Sequence, residues 1–134
     1  MATLFTKIIQ GEIPGRFVYQ DDQAVAFLTI APLKPGHTLV VPRAEVDHWL
    51  DADPELLSHL MRVAQRVGKA IQKVWNPEKV GVAIVGLEVP HLHIHLSPIW
   101  AVGDMDFAKQ DTHASPESLD QAAEQIRQAL AAIP

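Results

Sequence analysis

The chain has 134 residues, 48% of them hydrophobic, no cysteine, and 16 acidic against 11 basic side chains for a formal net charge of -5. That length supports one domain with a real core, and the acidic balance excludes the basic footprint that grips a nucleic-acid polymer or an anionic membrane, leaving a small neutral-to-anionic ligand. Without cysteine there is no disulfide, thiolate zinc site or cysteine nucleophile; no apolar run nears the roughly 20 residues of a bilayer span and no basic-then-apolar leader opens the chain, so a soluble cytoplasmic protein is expected.

Taken in order, Thr3 to Gln10 carries Leu4, Phe5, Ile8 and Ile9 at helical spacing behind a Thr3 cap, with Gly11 as the stop. Phe17 to Tyr19 and Ala24 to Leu28 read as a hairpin across Gln20-Asp21-Asp22-Gln23. The adjacent acids Asp21 and Asp22 are read as turn chemistry rather than catalysis. A loop from Ala31 to Gly36 leads to a third strand, His37 to Pro42, with His37 at its mouth.

Asp53-Pro54-Glu55 is a helix start, and the helix runs toward Trp75 with Leu56, Leu60, Val63, Ala64, Val67, Ile71 and Val74 on one stripe. Asn76-Pro77 breaks it. Val80 to Val85 is a fourth strand, and a short link places it antiparallel to a strand that starts at His91. After Trp100 a looser polar stretch runs through His113, and Ser115-Pro116-Glu117 starts a last helix on Leu119, Ala122, Ala123, Ile126, Ala129 and Leu130.

The chemistry concentrates in His91-Leu92-His93-Ile94-His95-Leu96. Alternation in a strand puts three imidazoles on one face and Leu92, Ile94 and Leu96 on the other. Three readings compete: polar residues on a half-exposed strand, a metal site, and covalent catalysis at phosphorus. Against a metal, no carboxylate sits in a chelating motif with these histidines, and three same-face residues of an extended strand span too far to close easily on one ion. For catalysis, an imidazole whose other nitrogen is hydrogen-bonded is a good nucleophile near neutral pH. Its neighbours would bind the non-bridging oxygens and help protonate the departing atom, and the middle histidine, His93, is best placed to attack.

The string VPHLHIHLSPIW resembles the signature of the histidine triad family, in which histidines alternate with apolar residues; Ser97 replaces one terminal apolar residue. FTKIIQGEIP, the hairpin with Asp21-Asp22 and Ala26-Phe27-Leu28, and PGHTLVVPR are also similar to that family in order and spacing. The resemblance implies an α+β fold: an antiparallel sheet of about five strands, a long covering helix, a shorter one and a C-terminal helix. Residues 1–110 would form the family domain and 111–134 a C-terminal helical extension.

The same resemblance implies a hydrolase or transferase acting at the α-phosphorus of a nucleoside 5′-phosphoramidate or a dinucleotide, with His93 forming a nucleotidyl-histidine intermediate. His91, His95 and His37 would surround the phosphate, and Phe27, Leu28, Thr29 and Ile30 would line the nucleoside pocket. It further implies a homodimer with no cofactor and no metal. A nucleotide-binding regulatory module with little turnover is the alternative. The chain departs from many relatives in having Thr29 where an acidic or amide side chain meets the ribose, and no Gly-rich segment before the triad. Glu88 stands where a small hydroxyl or amide is usual; a buried acid there would donate a proton, an ionised one would repel an anionic substrate.

Overall fold

The alternation that separates Leu92, Ile94 and Leu96 from the histidines divides the whole molecule. The structure, a computed structural model, describes residues 2–134. Its elements are α1 (Leu4–Ile9), β1 (Phe17–Gln20), β2 (Ala24–Leu28), β3 (Thr38–Pro42), α2 (Pro54–Trp75), β4 (Lys79–Ala83), β5 (Ile94–Ile99) and α3 (Pro116–Ala131). Short 3-10 turns occupy Trp49–Asp51, Val102–Met105 and Phe107–Lys109. The five strands form one sheet in the order β1-β2-β3-β5-β4, every neighbour antiparallel, so the expected α+β architecture is present.

On one face of the sheet, Ala24, Ala26, Leu28, Val40, Ile94 and Leu96 pack with Leu60, Val63, Val67 and Ile71 of α2 and Ala123 and Ile126 of α3 in one buried cluster. On the other face, Val25, Phe27, Leu39 and Val41 pack beneath Phe5 and Ile8 of α1. Both faces of β2 and β3 are therefore covered, and all ten of their residues are buried. Because α3 contributes five buried residues to the main cluster, residues 111–134 share their core with the rest of the chain.

Local chemistry sets the ends of these elements. The Asp53 carboxylate accepts from the Glu55 N–H at the start of α2, with Pro54 in the first turn. Asn76 ends α2 in the left-handed region at φ 48°, its N–H donating to Gln72. Gly36 adopts φ +98°, and a Cβ there would lie 2.6 Å from the Trp75 ring, so only glycine lets the end of α2 close against the residue before His37.

Beyond one-residue shifts, such as β3 starting at Thr38 and β4 at Lys79, the boundaries nearest the histidines differ from the sequence expectation. The fourth strand ends at Ala83, not Val85, and the histidine strand begins at Ile94, so His91, Leu92 and His93 precede the ladder. The register pairs Val40 with Ile94, which would next set Pro42 against Leu92; proline has no N–H to offer, and the Leu92 N–H donates instead to the Val46 carbonyl at 2.7 Å. Among the described residues no helix is long and apolar enough to cross a membrane.

Candidate active site

Three imidazoles do share a face, but they are not equivalent. His91 is fully buried. Its Nε2–H donates to the Pro42 carbonyl at 2.7 Å, and with the proton there its Nδ1 accepts from the Thr3 hydroxyl at 2.6 Å. Both nitrogens are thus occupied, and His91 does not line the cavity beside its two partners. That same Thr3 oxygen caps α1, so His91 ties α1 to the end of β3.

His93 is 7% exposed. Its Nδ1–H donates to the His91 carbonyl at 2.7 Å, which leaves Nε2 as an unprotonated lone pair. Phe5 packs edge-on against the ring at 4.9 Å between centroids. Burial lowers the His93 pKa below its ordinary 6.5, with the hydrogen bond to His91 opposing, so the lone pair stays available at neutral pH.

His95, 8% exposed, pairs with His37 across 2.9 Å. The direction of that bond follows from its far end. The Leu33 N–H can only donate, so His37 Nδ1 accepts it at 2.9 Å and the His37 proton sits on Nε2. His37 Nε2–H therefore donates to His95 Nδ1, and the His95 proton is left on Nε2. Burial, then the neighbouring His95 and His93, push the His37 pKa down to about 3; burial and His93 push His95 down to about 4. Both rings are neutral, oriented donors at neutral pH.

His93 and His95 line a cavity of about 150 Å³ with Val85, Leu87, Glu88, Phe107 and Gln110. Glu88 is exposed at this rim, so the buried-acid alternative does not apply to it. A second crevice of about 190 Å³, reaching Asp47, His48 and Trp49, also touches His93. Phe27 is buried between Phe5 and Phe17, Leu28 lies in the main core, Thr29 accepts from the Ala31 N–H, and Ile30 is 74% exposed; none of the four lines the cavity at His93 and His95. Among the described residues, no group of three or more His, Asp or Glu is arranged to hold a metal ion.

The remaining polar candidates serve the frame. The Asp21 carboxylate accepts from the N–H groups of Gln23 and Ala24, as turn chemistry requires, and also from the Tyr19 hydroxyl, while His59 on α2 lies 2.7 Å from it. Burial would raise its pKa, but those hydrogen bonds prevail and hold it at about 2. Arg43 donates to the Asp21 carbonyl and the Gln20 side chain, away from the cavity. Trp100 is half exposed and outside it.

Sequence reasoning missed Thr3 as the partner of His91, Phe5 as the ring on His93, and Phe107 and Gln110 as cavity walls. Phe5 and Thr3 were visible only as a helix face and a cap. Phe107 and Gln110 lie in a stretch with no periodicity, and nothing in their spacing announces a site.

The HIT domain family model matches residues 10–99. The protein named Protein hit of Bacillus subtilis is 32% identical over 138 aligned positions, covering 96% of this chain and 94% of its own. A solved HIT-like protein of Bartonella henselae, described as involved in cell-cycle regulation, superposes with a TM-score of 0.82 at 33% identity, over 95% of both chains. A hypothetical histidine triad nucleotide-binding protein of Sulfolobus tokodaii gives 0.82 at 29% identity, over 96% of this chain and 91% of its own.

Proposed function

Since this chain belongs to the HIT, or histidine triad, family, we propose that it binds a nucleotide and hydrolyses a nucleoside 5′-phosphoramidate through nucleotidyl-His93. The observation that carries this reading is the His93 ring itself. Its Nδ1–H is committed to the His91 carbonyl, and its free Nε2 lies beside the oriented His95 donor. The Sulfolobus tokodaii protein's designation as nucleotide-binding supports the ligand class.

In the first step His93 Nε2 attacks the α-phosphorus and the bond from phosphorus to the leaving nitrogen breaks. That nitrogen takes a proton from water at the open rim. The His95 Nε2–H donates to a non-bridging oxygen; its Nδ1 is filled by the His37 proton, so it acts as a fixed dipole rather than a cationic acid. The His91 carbonyl faces the positive charge that develops on His93. In the second step water attacks the same phosphorus, the bond to Nε2 breaks, and the proton released replaces the one spent.

The leaving group is chosen by charge. The cavity residues include no lysine or arginine, its histidines are neutral, and its one formal charge is the Glu88 carboxylate. A polyphosphate leaving group meets no cation there and faces the acid, whereas the singly protonated nitrogen departs as an uncharged amine. An amine is favoured over the second half of a dinucleotide.

The test is release of AMP from adenosine 5′-phosphoramidate by the native chain and by His93→Ala, with a diadenosine polyphosphate as the comparison. The expected result is turnover of the phosphoramidate, weak or no turnover of the dinucleotide, and loss of at least about a thousandfold in the variant. Equal rates for native and variant chains would sink the mechanism. Binding of AMP by calorimetry with no turnover of either substrate would support the binding-module reading instead.

We also infer a homodimer. β4 is a sheet edge, and α2 and β4 border a groove of about 640 Å³ with Met61 and Val82 exposed in it. Light scattering at the mass of two chains is the expected result, and a single-chain mass at assay concentration rejects it.

A further inference from the structure

The family match ends at residue 99, yet the chain returns over the site after that point. The segment from Ala101 to Asp111 is held at three places, and all three lie on the loop that carries Leu33. Asp104 is 3.6 Å from the Lys34 ammonium. The Gln110 Nε2–H donates to the Ala31 carbonyl at 2.8 Å. The Asp111 N–H donates to the Pro32 carbonyl at 2.8 Å. Between these ties the Phe107 ring packs edge-on against His95 at 4.7 Å between centroids, and against His37 at 6.4 Å.

The loop and the rings belong to one chain of donors. Leu33 N–H sets the proton on His37, His37 sets the proton on His95, and His95 presents Nε2–H to the cavity. Were Leu33 to move away, His37 Nδ1 would be free to carry the proton. The bond between the rings would then reverse, and His95 would present a lone pair instead of a donor. The imidazole pair contains nothing that prefers one direction; the preference comes from a single backbone N–H.

We propose that residues 101–111 are a clamp that fixes the proton direction of the His37–His95 pair, with Phe107 as its positioning residue. The ring excludes water from both imidazoles, and the three ties keep Leu33 on His37. Phe107 acts through His95, not on the substrate. The titratable groups around the pair are His93 across the cavity, Glu88 at its rim, and Lys34 and Asp111, which line a crevice with His37. On the clamp, Asp106 and Lys109 flank Phe107 and are exposed, and Asp104 is engaged by Lys34. The proposal rests on the hydrolase reading only for the value of His95 as a donor; the proton direction is a property of the free protein.

Imidazole ¹⁵N spectra of the full chain, labelled at histidine, read that direction without substrate. The native protein is expected to show the proton on Nε2 of both His37 and His95, and on Nδ1 of His93. Phe107→Ala is expected to give both tautomers at His95 and to raise its titration midpoint by about one pH unit or more as water enters. In the phosphoramidate assay kcat falls about tenfold with KM changed less than about twofold, because a transition-state donor is lost. Phe107→Leu, which keeps the water out, restores most of both signals.

Gln110→Ala cuts one tie and leaves the ring contact, and is expected to move the His37 and His95 signals in the same direction by less. A folded Phe107→Ala protein with native tautomers and titration overturns the clamp. Native signals in Gln110→Ala overturn it too, even if Phe107→Ala fails to fold. If the spectra change as expected but the native chain never releases AMP, the clamp stands and the hydrolase reading falls.

Discussion

At the residue scale, His91 and His93 show how two members of one alternating string acquire different work. The His91 ring holds two buried partners, the Pro42 carbonyl and the Thr3 hydroxyl, and its own carbonyl aims His93. Replacing it with alanine removes the donor from a buried carbonyl, which costs about 1–3 kcal/mol, and loosens the backbone whose carbonyl, retained by alanine, aims the His93 ring. His91→Ala is therefore expected to lower stability by that amount and turnover by up to about a hundredfold. Unlike His93→Ala, it retains a residual rate and still forms the nucleotidyl adduct seen by intact mass; a rate equal to the native one would show that the His91 ring is not needed to hold its carbonyl against His93. The spacing of the triad was legible as a shared face, because period-two alternation survives even where the ladder has not begun. Which ring faces the cavity was not, because that depends on Pro42 and Thr3, each more than 40 positions away. Asp21 divides the same way: its bonds to Gln23 and Ala24 are local and readable, its bond to His59 is neither.

At the element scale, α2 carries the covering face of the sheet. Its stripe could be read directly from the sequence because nearly every apolar position on it is spaced for one side of a helix, and Asp53-Pro54 marks its start. Ile71 is completely buried in the main cluster. Ile71→Ala is expected to cost about 2–5 kcal/mol, and Asp53→Ala about 1 kcal/mol, in urea denaturation. Similar costs for the two would mean that the face of α2 contributes no more than its cap. The start of β5 was misread for a physical reason. Apolar alternation does not distinguish a paired strand from an extended segment, and the proline that ends pairing lies on the neighbouring strand. The segment from 101 to 111 was unreadable as a wall of the site because it is held by single polar contacts rather than by a repeating apolar face.

At the scale of the whole molecule, the buried imidazoles make stability depend on pH. His37 and His95 titrate near about 3 and 4 in the fold against an ordinary 6.5, so between those values the unfolded chain binds more protons than the folded one. Stability is fully present above 6.5 and falls as the pH is lowered toward 4 and then 3, by up to about 1.4 kcal/mol per pH unit for each ring. Asp21, held at about 2 against an ordinary 3.8, adds a second loss only below 3.8. Calorimetry from pH 7.5 to 3.5 is expected to show Tm declining from about 6.5 downward; a flat Tm between 6.5 and 4 would mean that the rings are solvated in solution. The sheet order has a further consequence in time. β1, β2 and β3 follow one another along the chain and pair as neighbours, whereas β5 reaches β3 only after α2 and β4 have been placed between them in sequence. His37 and His95 are 58 residues apart, and the bond between them waits for that late, non-local closure. A refolding chain can therefore form α2 and the β1-β2-β3 hairpins from local contacts before its chemistry, which waits for the closure of β5 on β3.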